Sequence, residues 1–130
     1  MLKEKSVTEV TIDGKLVCIH EFGAIQGWKI MRKIMSVVGP VMAEFTSGED
    51  AIPRAIMVLF DRLPEQDLIA LLQSLTENCT IDGRRVSFER DLGVNKFTID
   101  LITEVIKANF DEFFTIVQEK LGGLLGEMEA

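Results

Sequence analysis

The chain has no tyrosine, one histidine, two cysteines and three prolines in 130 residues, and these shortages remove whole classes of chemistry. The one histidine, His20, lies on an alternating segment beside Glu21, with no serine or cysteine that the sequence places near it. A general base needs a positioned nucleophile or substrate proton, so His20 reads as a half-buried strand residue and no catalytic residue is assigned. A single histidine also excludes the usual histidine-rich zinc and iron sites. Cys18 and Cys79 share no metal-ligand spacing and read as buried free thiols. Gly23, Gly27, Gly39 and Gly48 are scattered, and none opens a Gly-Lys-Ser/Thr phosphate loop. Asp61, Glu65 and Asp67 cluster around Leu63-Pro64 but lack the ligand ladder of a calcium loop, so they read as solvated helix ends. No metal and no cofactor is expected.

Long apolar runs are missing too. Lys29, Arg32, Lys33, Glu44, Arg54 and Asp61 interrupt the richest stretches before any reaches the roughly 18 residues of a membrane span. The N-terminal Met1-Leu2-Lys3-Glu4-Lys5 lacks the apolar region of a secretory signal, which points to the cytoplasm of the cell that made the chain. Basic excess is absent as well. Fourteen Lys/Arg stand against 21 Asp/Glu, for a net charge of −7. Residues 1 to 47 carry six against five, or +1, and residues 48 to 130 carry eight against sixteen, or −8. An acidic surface repels phosphate backbones, which argues against nucleic acid as the main partner.

What the chain has in quantity is apolar surface, at 47% of residues and a mean hydropathy of +0.21. A chain this long can bury one self-supporting core without disulfides. Residues 6 to 22 alternate with period two around Asp13-Gly14, the strongest short hairpin signal, because both central residues of a type I′ turn need positive φ. Thr11-Ile12-Asp13-Gly14 returns as Thr80-Ile81-Asp82-Gly83. Cys79, Ile81, Val86 and Phe88 around this copy leave room for a second short hairpin.

From Gly27 the period becomes helical. Trp28, Met31, Ile34, Met35 and Val38 form an apolar stripe opposite Lys29, Arg32, Lys33 and Ser36, ending near Gly39-Pro40. Asp50 is a candidate N-cap with Pro53 in the first turn, and Ile52, Ala55, Ile56, Leu59, Phe60 and Leu63 follow the helical template. Pro64 opens another helix whose buried face is Leu68, Leu71, Leu72 and Leu75. Residues 78 to 96 read as a turn-rich connection. Thr98 or Asp100 opens the C-terminal helical region, 97 to 122, with a break or kink at Asn109-Phe110-Asp111. Gly122, Gly123 and Gly126 are expected to dissolve its end.

The fold class is therefore α+β and predominantly helical, with about five helices and an N-terminal β-hairpin in one domain over residues 1 to 130. Phe110, Phe113 and Phe114 put three aromatic rings within five residues, enough apolar area that the chain itself or a partner must cover them. The other helices can absorb part of these rings, so they read first as anchors of the fold. Trp28, Met31, Met35, Met42, Phe110, Phe113, Phe114, Val117 and Leu121 are the candidate partner-binding residues, methionine being suited to adaptable contacts.

The order of parts resembles the tail assembly chaperones of long-tailed, siphovirus-type bacteriophages. It is carried by the Thr11-Ile12-Asp13-Gly14 hairpin, the helix at Trp28-Lys29-Ile30-Met31-Arg32-Lys33-Ile34-Met35, the Val38-Gly39-Pro40 break, two leucine-rich helices, the Thr80-Ile81-Asp82-Gly83 turn, and Asn109-Phe110 followed by Phe113-Phe114. The resemblance implies a non-enzymatic protein that binds the tape measure protein, keeps it soluble in the host cell cytoplasm and helps tail tube subunits assemble around it. It also implies absence from the mature virion and, in many relatives, a longer frameshifted form. The apolar excess and uneven charge add self-association. The rival reading is a small structural component of the tail or connector.

Overall fold

In a computed structural model the described residues are 7–44 and 48–129, with side chains described except at 43, 44, 48–50, 118 and 121–129. Two strands, β1 (Val7–Ile12) and β2 (Lys15–His20), form the expected hairpin. Asp13 and Gly14 have φ of 51° and 77°, the positive pair that a type I′ turn requires. The second Asp-Gly repeats this geometry, with φ of 50° at Asp82 and 81° at Gly83, between β3 (Cys79–Ile81) and β4 (Arg84–Arg85). The two hairpins are one antiparallel sheet in the order β1-β2-β3-β4, through pairs such as Val17 with Ile81 and Ile19 with Cys79. Asp82 joins the turns: its amide donates to the Leu16 carbonyl at 2.7 Å, and its Oδ1 accepts from the Leu16 amide at 2.9 Å.

A Cβ built on Gly14 or Gly83 meets nothing within 4 Å, so only the backbone conformation demands glycine there. Gly83→Ala should therefore cost about 1–2 kcal/mol, the penalty of the left-handed region for an L-residue. Denaturant titration should show a lower midpoint with an unchanged slope.

Val17, Ile19, Cys79 and Ile81 are buried on one face of the sheet, while Leu16 and His20 are exposed. His20 is thus not the half-buried residue expected from its position. Burial pushes the Cys79 thiol up to about 12, which keeps it protonated and unreactive at neutral pH. Cys18, on the opposite face, is half-buried.

Five α-helices are present among the described residues: α1 (Ala24–Val38), α2 (Gly48–Arg62), α3 (Glu65–Thr76), α4 (Phe88–Asp91) and α5 (Lys96–Glu129), with α5 packed against β1. The segment Gly39–Glu44 is a 3₁₀ turn, so Gly39-Pro40 ends α1 as expected. α2 starts at Gly48, which places Asp50 inside the helix rather than at its cap. It also places Pro53 in the helix interior, where that position forgoes one backbone bond. Ile52, Ala55, Ile56, Leu59 and Leu63 are buried from α2, whereas Phe60, expected in the same stripe, lies at its edge and is exposed; α3 buries Leu71, Leu72 and Leu75, with Leu68 half-buried against the core.

The stretch read as a connection is largely ordered structure. Ser87 caps α4 by accepting from the Arg90 amide, and the Asp91 carboxylate takes the Ser87 amide at 2.8 Å. The Arg90 guanidinium, then the Ser87 amide and Arg84, hold the Asp91 carboxyl well below the usual carboxylate range. The cap of α5 is Asn95, whose Oδ1 accepts from the Thr98 amide at 3.0 Å; neither Thr98 nor Asp100 opens the helix.

α5 is one helix of 34 residues, about 50 Å long at 1.5 Å per residue, without the expected break at Asn109. The backbone is still helical at Glu129, so Gly122, Gly123 and Gly126 do not end it. A helical glycine costs about 1 kcal/mol against alanine but keeps its hydrogen bonds. Leu101, Ile102, Val105, Ile106, Phe110 and Phe114 run down the buried side of α5 and join the sheet and the other helices in one core.

Candidate partner-binding cleft

The sequence places Asn109 where a helix was expected to break, and the structure uses it for a different purpose. Its Nδ2 donates to the Val105 carbonyl one turn back at 3.0 Å. Its Oδ1 accepts the Phe22 amide at 3.0 Å, across 87 residues of sequence. Phe22 lies between β2 and α1, where its amide has no strand partner, and a part-buried amide left unpaired would be costly. The same junction is closed by the Phe22 and Phe110 rings, stacked with centroids 6.0 Å apart at 28°. One side chain and one ring pair thereby fix the start of α1 against the middle of α5.

A cleft of about 230 Å³ opens at this junction, lined chiefly by Phe22, Gly27, Trp28, Met31, Phe110 and Phe113. Glu21, Gly23, Ala24 and Asn109 complete its wall. Among the expected partner-binding residues, Trp28, Met31, Phe110 and Phe113 are brought together here. Met31 and Phe110 form its buried floor, and Phe113 is half-buried. Trp28 stands on the rim with 68% of its surface in water.

The other expected residues lie elsewhere. Met42 and Phe114 are buried in the core, the latter edge-on to Phe113 at 6.2 Å. Met35 and Val117 are half-buried against it. The side chain of Leu121 lies outside the described residues.

The exposure of Trp28 corrects the predicted face of α1. Its buried residues are Ile30, Met31, Ile34 and Val38, a stripe rotated from the expected one so that Trp28 leaves the core and Ile30 enters it. The rotation also brings out Ile25, 76% exposed and three residues before Trp28. On α5, Ile116 is 46% exposed and three residues after Phe113. The apolar surface thus extends past the cleft along both helices, to positions that sequence periodicity had not singled out. A helix start at Ala24, three residues earlier than expected, is the signal that would have shown Ile25 and Trp28 on one strip.

A model of the phage tail assembly chaperone protein family, TAC, matches residues 13–125. The chain belongs to that family. No curated protein and no solved structure gives a match. The matched span begins in the first Asp-Gly turn and takes in both walls of the cleft. Among the described residues, no helix of this family member is long and apolar enough to cross a membrane.

Proposed function

We propose that this tail assembly chaperone acts without catalysis, binding the tape measure protein through the cleft between α1 and α5 and holding it soluble in the host cytoplasm. Tail tube subunits then assemble around that complex, and the chaperone is not retained in the mature virion. The observation that carries the reading is the exposed Trp28 on the rim of an apolar cleft. Large aromatic side chains left in water beside a formed apolar depression mark interaction sites, and tryptophan is enriched among the residues that dominate binding energy. A net charge of −7 would keep a complex with an apolar helical client dispersed.

Co-expression with the tape measure protein of the same genome tests this. The expected result is that the tape measure protein moves from the pellet to the soluble fraction and co-purifies with the chaperone. A client equally insoluble with and without it, and no complex, would sink the proposal. Stoichiometric recovery of the chain from purified virions would favour a structural tail component instead.

A further inference from the structure

Two exposed strips, on different helices, lie outside the cleft lining. On α1, Ile25, Lys29 and Arg32 follow one another at i, i+4 and i+7 on the side turned to water. On α5, Glu112, Ile116 and Glu119 repeat that spacing and are likewise exposed. Ile25 and Ile116 are 76% and 46% exposed, and neither lines the cleft. The charges around the two isoleucines have opposite sign. Lys29 borders a groove between α1 and α3, where Lys33 already takes the one carboxylate, Asp67, at 3.6 Å. Lys29 and Arg32 have no ion pair of their own among the described residues, and neither do Glu112 and Glu119. Asp111 and Lys120, exposed at the two ends of the α5 strip, cancel, so the strip keeps the charge of its two glutamates.

We infer that the two strips are the halves of one contact between copies of this chain, in which α1 of one copy lies against α5 of another. Ile25, with Trp28 one turn along, covers Ile116, while Lys29 and Arg32 meet Glu112 and Glu119. The occupant is a second copy because one chain carries both complementary halves and its own fold leaves both in water. The uneven charge of the sequence, +1 over residues 1 to 47 and −8 over residues 48 to 130, is thereby given a use. Burial of the apolar residues supplies the attraction, and the exposed ion pairs, each weak, decide which faces meet. A single helix crossing buries less area than a permanent interface, so the association is weak and reversible. This contact does not rest on the chaperone reading, which the co-expression assay tests separately.

Sedimentation of the chain alone, with Trp28 emission as a second readout, tests the contact. The unaltered chain should associate reversibly as its concentration rises. Trp28, the only tryptophan of the chain, should then shift its emission to the blue. Rising salt should weaken the association, because the ion pairs lie at the surface. Lys29→Glu with Arg32→Glu makes both strips acidic, and Glu112→Lys with Glu119→Lys makes both basic. Each double variant alone should associate about tenfold more weakly, the size of two exposed ion pairs.

Mixing the two double variants should restore the unaltered affinity, since each then meets a strip of opposite charge. All four changes in one chain should restore it too, at the unaltered net charge of −7. A monomer at every concentration, double variants that associate as tightly as the unaltered chain, or no recovery on mixing would each overturn the proposal. A monomeric chain whose double variants fail instead to solubilise the tape measure protein would give both strips to the client, and would overturn it as well.

Discussion

Phe114→Ala should be the most damaging single truncation on α5, lowering stability by about 3–5 kcal/mol, the usual range for a buried phenylalanine. Phe114 is 2% exposed, lies edge-on to Phe113 and joins the core below the cleft. Its removal loses the transfer energy of the ring and leaves a hole in the core. Such a loss is a large fraction of the 5–15 kcal/mol by which domains are typically stable, so the variant should unfold at much lower urea. Phe113→Ala is the internal comparison. Phe113 is only part-buried and lines the cleft, so its truncation should cost distinctly less. Equal losses at the two positions would show that Phe113 is as much a core residue as Phe114, and would remove the distinction between floor and wall on which the cleft depends.

Asn109→Leu should cost about 1–3 kcal/mol, the usual penalty for a buried polar group deprived of its partner. The replacement is close in size and suits a helix better, so propensity and packing work against a loss. Any destabilisation then comes from the Phe22 amide, whose acceptor is gone. Amide hydrogen exchange locates the effect: protection at Phe22 should fall well beyond the global change, while the amides of Leu101 to Ile106 follow global stability. Because Asn109 joins the β2–α1 junction to α5, its loss should also let the walls of the cleft drift apart. A redder emission from Trp28 would report that movement. A variant in which Phe22 keeps its protection would place the joint in the Phe22–Phe110 ring pair alone.

Several parts of this arrangement were legible in the sequence because they depend on neighbours within a few residues. Asp13-Gly14 and Asp82-Gly83 specify their turns through φ alone, and both adopt the expected geometry. Of the stripe Ile52, Ala55, Ile56, Leu59, Phe60 and Leu63, all but Phe60 face the core, as periodicity requires. The resemblance to the tail assembly chaperones was legible at the level of family.

The misread features share one cause, which is dependence on a distant partner. On β2, Val17 and Ile19 alternate with Leu16, Cys18 and His20, and both sets are apolar enough to be buried. The choice is made by β3, about 60 residues later, whose Cys79 and Ile81 share the face of Val17 and Ile19. On α1, stripes centred on Trp28 or on Ile30 share Met31, Ile34 and Val38, and local spacing does not choose between edges a fraction of a turn apart. Asn109-Phe110-Asp111 read as a break or kink because aspartate and asparagine often cap or interrupt helices. The Asn109 amide bonds back to Val105 and across to Phe22 instead, so α5 runs on unbroken.

The sequence alone therefore determined a mainly helical α+β chain with type I′ hairpin turns, an acidic surface and the family to which it belongs. All of these are set by composition, by period and by φ preferences at single residues. Only the tertiary structure decided which aromatic residues are core and which are surface: Phe110 and Phe114 packed away, Phe113 in the wall, Trp28 in the water. That division follows from how α1 and α5 are turned about their own axes within the packed core, where the Asn109 bond to Phe22 and the Phe22–Phe110 stack hold the start of α1 to the middle of α5. Both join residues nearly 90 positions apart, beyond the reach of any local pattern.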